Sequence, residues 1–212
     1  MRWSSRIAVK LNPFWTVRTM STDKAPKENG RYVFICNHQS NMDPILINSV
    51  FRYNAKWVSK DSIFNVPFGG YMMKHCGDIP LSFSSANVED TTTEKQSAKN
   101  CMSKCKEWLE LDVPIFMFPE GRRSNDGELL EFKKGAFILA KQTDAKIVPC
   151  AIHGTKDIWP VGIDLPGPGK CMFVIGDVFD SKDFKDVDEL TNYSKQKVLE
   201  LQQIAKKECA KL

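Results

Sequence analysis

Residues Tyr32-Val33-Phe34-Ile35-Cys36-Asn37-His38-Gln39-Ser40-Asn41-Met42-Asp43-Pro44 hold the key to the fold. Tyr32 to Cys36 is an uncharged apolar run of strand length, as expected of a strand buried in a sheet. Asn37 to Met42 is polar, and Asp43-Pro44 then opens an apolar helix that runs to Phe51. Proline is tolerated in a first helical turn because no N–H is required of it there. Strand, polar loop and helix in succession form one unit of an α/β layer.

The same alternation continues outward. Lys56-Trp57-Val58 reads as a second strand, Pro67 to Cys76 as a short helix stopped by Gly77, and Ile79-Pro80-Leu81 as an edge strand. Thr93 to Glu110 is a helix, Ile115 to Phe118 a buried strand, Lys134 to Thr143 a helix, and Ile147 to Ile152 and Cys171 to Val178 further strands. Asp188 to Ala210 places Leu190, Val198, Leu201, Ile204 and Ala205 on one helical stripe. The expected fold is a single α/β domain: a mostly parallel central sheet flanked by helices, with a basic amphipathic N-terminal segment and a long C-terminal helix. In such sheets, sites gather at the C-terminal ends of the strands.

The chain has 212 residues, enough for one sizeable core, and 42% hydrophobic with 26% charged residues is ordinary for a globular domain. A net charge of +4 favours anionic ligands or surfaces but is too small to imply nucleic acid, and no nucleic-acid motif accompanies it. Seven scattered cysteines, an odd number, point to free thiols in a reduced compartment. Cys101 and Cys105 lie one helical turn apart, with no second pair to complete a zinc set, so no metal is expected.

No apolar run reaches the length of a membrane span. In residues 1–22 the charges are Arg2, Arg6, Lys10 and Arg18, while Trp3, Ile7 and Leu11 recur at helical spacing and Phe14 and Trp15 follow Pro13. Three readings stand: a helix on a membrane surface, an organelle targeting segment, or a terminal helix packed on the domain of residues 23–212. The final Ala210-Lys211-Leu212 is a faint match to a peroxisomal address.

Two motifs carry chemistry. His38 and Asp43 are close enough to meet across one turn; a carboxylate accepting from one ring nitrogen leaves the other as a base. This is the His-Asp half of a catalytic triad, and without a Gly-x-Ser-x-Gly elbow the hydroxyl would belong to the substrate. The plain alternative is that Asp43 only caps the helix. The second motif, Phe118-Pro119-Glu120-Gly121-Arg122-Arg123-Ser124, follows an apolar strand with a carboxylate and two guanidiniums. Arginine forks bind phosphate oxygens, and Glu120 could hold an arginine or accept from a substrate hydroxyl. The alternative is a solvated charged loop. Cys36 offers a thiol nucleophile as a different mechanism.

Asn37-His38-x-Ser40-x-x-Asp43 and Phe118-Pro119-Glu120-Gly121-x-Arg123-Ser124 resemble the two signature blocks of the glycerolipid acyltransferases, specifically the 1-acylglycerol-3-phosphate (lysophosphatidate) acyltransferase family. Lys60 through Gly70, with Phe64, Pro67 and Phe68-Gly69, is similar to its intermediate block. Lys133-x-Gly135 and Val148-Pro149-x-x-Ile152-x-Gly154-Thr155 resemble its later ones. The resemblance implies acyl transfer from acyl-CoA or acyl-carrier protein to a glycerol phosphate hydroxyl, with no cofactor, no metal and no acyl-enzyme. It implies that His38 is the base, Asp43 its orienter, and that Lys60, Glu120, Gly121, Arg122, Arg123 and Ser124 bind the acceptor, lysophosphatidic acid. It also implies peripheral attachment to an intracellular membrane, of the endoplasmic reticulum or an organelle. The chain departs from the family pattern at Arg122, where Thr is usual, and at Ser82-Phe83, where an acidic residue and a phosphate-binding arginine are common. Those departures bear on the acceptor. A relative that binds lipid without turnover is the non-enzymatic alternative.

Overall fold

The computed structural model describes residues 2–84, 92–160, 162–163 and 165–212. The chain begins with helix α1 (Arg2–Leu11) and strand β1 (Trp15–Ser21), followed by β2 (Tyr32–Cys36), α2 (Asp43–Val50) and β3 (Lys56–Lys60). A 3-10 turn (Asp61–Asn65), α3 (Gly69–Cys76) and β4 (Ile79–Leu81) come next, then α4 (Lys95–Glu110), β5 (Ile115–Met117) and α5 (Gly135–Thr143). The remainder comprises β6 (Lys146–His153), α6 (Thr155–Ile158), β7 (Gly169–Ile175), β8 (Phe179–Asp180) and α7 (Val187–Cys209).

The described strands form one sheet in the order β1-β7-β6-β2-β5-β3-β4, with β8 also on β6. β2 runs parallel to β5 on one side and β6 on the other, and β3 is parallel to both β5 and β4. β7 and β8 meet β6 antiparallel, so the sheet is mostly parallel, as expected. Every residue from Val33 to Cys36 is fully buried, because both faces of β2 are covered. Phe34 and Cys36 point into a core shared with Leu46, Ile47 and Phe51 at α2. Val33 and Ile35 point to the other face, against Cys105 and Leu109 of α4, Phe137 of α5 and Leu190 of α7. Two-sided burial explains why these residues form a continuous apolar run rather than an alternating one.

The structure corrects the N-terminal boundary. Residues 1–22 read as one amphipathic segment, but Trp15–Ser21 is a strand paired in parallel with the whole of β7. Its alternation, Trp15-Thr16-Val17-Arg18, has a strand's period, yet its partner lies about 150 positions downstream and leaves no local signal. α1 itself is helical as expected and packs on α2 through Val9 and Ser5 while Trp3, Ile7 and Leu11 remain exposed. Smaller shifts are the start of α3 at Gly69, of α4 at Lys95, and the end of β7 at Ile175. On α7, Leu190, Val198, Leu201 and Ala205 are buried as predicted, but Ile204 faces solvent. None of the seven cysteines is in a disulfide. Among the described residues no helix is long and apolar enough to cross a membrane.

Candidate active site

Parallel β2, β5, β3 and β4 all end at one edge of the sheet, and a cleft of about 450 Å³ opens there. Each strand end contributes to its lining: His38 after β2, Met117 and Phe118 from β5, Val58 and Lys60 from β3, Leu81 from β4. Helix α4 closes one wall with Ala98, Cys101 and Met102. The two sequence motifs, about 80 residues apart, thus converge as the strand-end rule requires.

His38 Nδ1 lies 2.6 Å from Asp43 Oδ2. The same oxygen accepts from the backbone N–H groups of Gln39 and Ser40 at 2.7 and 2.9 Å. Asp43 therefore closes the turn before α2 and lies against the imidazole, but it does not cap the helix: it is the first residue of α2, and the cap position, Met42, makes no side-chain bond. Asp43 is fully buried and its Oδ1 has no hydrogen-bond partner among the described residues. The imidazole stacks on Phe118, with centroids 4.1 Å apart and planes at 12°. With Nδ1 directed to Asp43, Nε2 is the nitrogen left for a substrate.

Asn37 anchors this loop. Its side-chain amide donates to Ile152 O at 2.9 Å and accepts from Ile152 N at 2.8 Å, extending the β2–β6 ladder by one side chain. Glu120 holds it from the other side. Its Oε1 accepts from His38 N at 2.7 Å and its Oε2 from Leu130 N at 2.9 Å. Burial at 3% exposure pushes the Glu120 carboxyl up to about 7, opposed by those two N–H groups and reinforced by the charge of Asp43.

The structure divides the predicted site residues. His38, Lys60, Gly121, Arg122 and Arg123 line the cleft. Glu120 and Ser124 are buried behind its wall, and their side chains bond the neighbouring loops. Ser124 Oγ donates to Asp126 Oδ1 at 2.8 Å and accepts from Gly127 N at 3.1 Å, and Ser124 N donates to His38 O. Gly121 makes the reversal possible with φ 72°, a conformation costly for any other residue type. Lys133 lines the cleft as well, and so do Phe83 and Thr93. Lys60 Nζ is 6.0 Å from the Phe83 ring centre. Among the described residues no Asp or Glu appears in the cleft lining, against the four cations Lys60, Arg122, Arg123 and Lys133.

The apolar side chains of α3 do not line the cleft. Tyr71 faces solvent, Met73 is buried elsewhere, and Met72 contacts Ser4. His75 bonds Tyr71 O and lies tilted against its ring, a local helix contact. His153 lies in a separate polar recess of about 180 Å³ with Gln39 and Gln202, not in the cleft, and burial lowers its basicity. Burial pushes the Cys36 thiol well up, the opposite of what a nucleophile needs. The contacts of Phe118 and Asn37 have no signature in the sequence, since a stacked ring and a core ring are spelled alike. Among the described residues no set of three His, Cys, Asp or Glu side chains converges on a metal position.

Apolar walls, four cations and an imidazole held by a carboxylate suit a substrate with a hydroxyl, an anionic group and a long tail.

Comparison with known proteins gives the same direction. The acyltransferase family profile matches residues 17–153. The chain is 33% identical over 160 residues to a chloroplastic 1-acyl-sn-glycerol-3-phosphate acyltransferase of Arabidopsis thaliana, covering 76% of this chain and 41% of that protein. It is 30% identical over 189 residues to a 1-acyl-sn-glycerol-3-phosphate acyltransferase of Chlamydomonas reinhardtii, covering 88% and 53%. The chain thus spans from about two fifths to about half the length of these relatives. The crystal structure of the 1-acyl-sn-glycerophosphate acyltransferase PlsC of Thermotoga maritima superposes with a TM-score of 0.75 at 26% identity, covering 94% of this chain and 77% of that one.

Proposed function

The chain belongs to the 1-acylglycerol-3-phosphate acyltransferase family, and on that premise we propose that it transfers a fatty acyl group from a thioester to the free hydroxyl of 1-acylglycerol 3-phosphate, giving phosphatidic acid. The observation that carries this reading is the His38–Asp43 pair at 2.6 Å, opening on a cleft whose charged lining groups, among the described residues, are cations. His38 Nε2 takes the hydroxyl proton while the oxygen attacks the thioester carbonyl. The tetrahedral intermediate collapses, the C–S bond breaks, and the imidazolium returns the proton to the departing sulfur. Asp43 keeps the ring oriented and carries the balancing charge. Arg122 and Arg123 bind the phosphate as forks, with Lys60 as a third cation. The acyl chain lies along Val58, Leu81, Ala98 and Met102. Thioesters have a good leaving group, so one base and good positioning suffice.

The donor is acyl-CoA or acyl-carrier protein, both presenting the same thioester. Exposed Trp3, Ile7 and Leu11 on acid-free α1, beside Arg6 and Lys10, support attachment to the surface of an intracellular membrane, of the endoplasmic reticulum or an organelle. Phe83 in the cleft, where relatives by resemblance carry arginine, favours a second reading: a different lysophospholipid or glycerol 3-phosphate as acceptor.

The test is acyl transfer to lysophosphatidate in liposomes, from acyl-CoA and from acyl-carrier protein, with His38→Ala as control. Transfer that falls about 10²–10⁴-fold in the variant supports the base mechanism. Absence of transfer above the variant with every donor, with glycerol 3-phosphate and with other lysolipids overturns it in favour of a lipid-binding relative without turnover.

A further inference from the structure

The segment between β3 and α3 presents features that the transfer site does not use. Ile63, Val66, Phe68 and Tyr71 are 45%, 52%, 86% and 65% exposed, while Phe64 among them is buried. Four large apolar side chains within nine residues form a contiguous outward knuckle. Phe68 sits at φ 58°, ψ −56°, a backbone region that residues with a side chain rarely enter. Its ring, being almost wholly exposed, receives no packing in return. The knuckle is nevertheless firmly shaped: Gly70 packs so tightly that a Cβ there would stand 2.2 Å from Phe64 O. A strained, exposed aromatic on a well-held turn calls for a partner outside the protein.

Three observations identify that partner as lipid. Ile63 belongs both to the exposed knuckle and to the lining of the cleft, so the knuckle adjoins the cleft mouth. α1 lies alongside, since Ser4 Oγ approaches Met72 Sδ at 3.8 Å, and its exposed Trp3 and Ile7 extend the apolar surface. Neither α1 nor α3 contains an acidic residue, and the one acid of the turn before α3, Asp61, is half-buried, whereas Arg6, Lys10 and Lys74 are exposed. An apolar surface fringed by cations matches the headgroup boundary of an anionic bilayer.

We propose that the Ile63-Val66-Phe68-Tyr71 knuckle inserts into the surface of an anionic lipid bilayer, with Phe68 as its principal anchor, so that the cleft opens at Ile63 into lipid rather than water. An acyl chain then passes from bilayer to cleft without exposing its methylenes to solvent. The proposal rests on the acceptor being a membrane lipid, as in the proposed function, but it adds a specific contact that can fail on its own.

The deciding variant is Phe68→Gly in the full chain. Glycine relieves the backbone strain, so the melting temperature without lipid should stay level or rise. Partition to phosphatidylcholine–phosphatidylglycerol vesicles should weaken about ten-fold, the effect of withdrawing one large aromatic from the interface. Acyl transfer to vesicle-embedded lysophosphatidate should fall in proportion, whereas transfer between short-chain soluble substrates should not change. Leu111→Ser, which removes an exposed apolar residue at the far end of α4, should alter neither. Vesicle partition equal to wild type overturns the proposal, even if α1 still holds the protein on the membrane. So does a Phe68→Gly variant whose only change is weaker self-association in lipid-free sedimentation, which would assign the knuckle to a second copy. Loss of partition in a protein that transfers no acyl group would refute the proposed function and leave the knuckle standing.

Discussion

The backbone N–H of His38 donates to Oε1 of Glu120 at 2.7 Å, so the histidine of the first motif and the carboxylate of the second are joined through main chain. The other Glu120 oxygen takes Leu130 N, and the carboxylate thereby clamps the loop after β2 to the loop after β5. The imidazole is held in the cleft by this clamp, by Asn37 on β6 and by Asp43 beneath.

Glu120→Gln should therefore behave as a positioning change. One acceptor becomes an NH2 facing a backbone N–H, leaving a buried donor unsatisfied at a cost of about 1–3 kcal/mol. Steady-state kinetics should show kcat reduced about 10- to 100-fold with the acceptor KM altered less than about two-fold. A rise in KM with kcat intact would return Glu120 to the role of acceptor ligand.

Phe118 stacks face to face on His38 and sets the plane of the ring. Phe118→Leu keeps the volume apolar but removes the stack, worth about 0.5–1.5 kcal/mol. The expected loss is about 3- to 10-fold in kcat, with thermal stability within a few degrees of wild type. Phe118→Trp should recover most of it, and equal losses in both variants would argue that the effect is packing alone.

Arg122 and Arg123 both face the cleft, and each fork on a phosphate should contribute about 1.5–3 kcal/mol. Arg123→Ala should raise the KM for lysophosphatidate about 10- to 100-fold while barely affecting an uncharged monoacylglycerol. Arg122→Ala tests whether the added cation has a share of that binding; an unchanged KM would confine the phosphate to Arg123 and Lys60.

Cys36 is buried between β2 and the core, its thiol pushed up by burial and by neighbouring Cys150, Asp43 and Glu120. Cys36→Ser should keep kcat within about three-fold of wild type although a buried hydroxyl lowers stability by about 1–3 kcal/mol. Mass spectrometry during turnover should find no acyl adduct on it. A stable Cys36→Ser protein without activity would revive the thiol mechanism.

Asp78 stands at the opposite end of the sheet, where its Oδ1 accepts from Trp57 N at 2.9 Å and its Oδ2 is buried without a partner among the described residues. Burial raises its carboxyl from 3.8 to about 6, partly offset by Trp57 N and Lys56. Folded protein thus holds the proton more tightly than unfolded chain, so its contribution to stability is full below about pH 4 and declines until about pH 6. The decline is about 3 kcal/mol, and Asp78→Asn should flatten it in urea titrations between pH 4 and 7. A variant with the wild-type pH slope would assign the slope to Glu120, whose carboxyl at about 7 acts in the same sense over a higher range.

Much of this site could be read directly from the chain. His38 and Asp43 are five residues apart, and the turn that joins them is local, so spacing alone brought the pair together. The apolar runs at Tyr32–Cys36 and Ile115–Met117 announced buried strands because two covered faces leave no room for a polar residue. Arg122 and Arg123 reach the cleft because the loop leaving a parallel strand must open at that edge.

Glu120 and Ser124 carry the same kinds of polar groups as their neighbours, and nothing in their spelling separates a ligand from a brace. That distinction depends on which backbone N–H groups, from Leu130 and from a loop 82 residues earlier, come within 3 Å of the carboxylate. Strand β1 likewise exists because β7, far along the chain, offers it a full row of hydrogen bonds. Residue types and short spacings thus specify which chemistry is available, since those interactions close within a turn or two. Burial and long-range pairing decide where each group points, because desolvation and hydrogen-bond partners are properties of the assembled sheet and not of any segment in it.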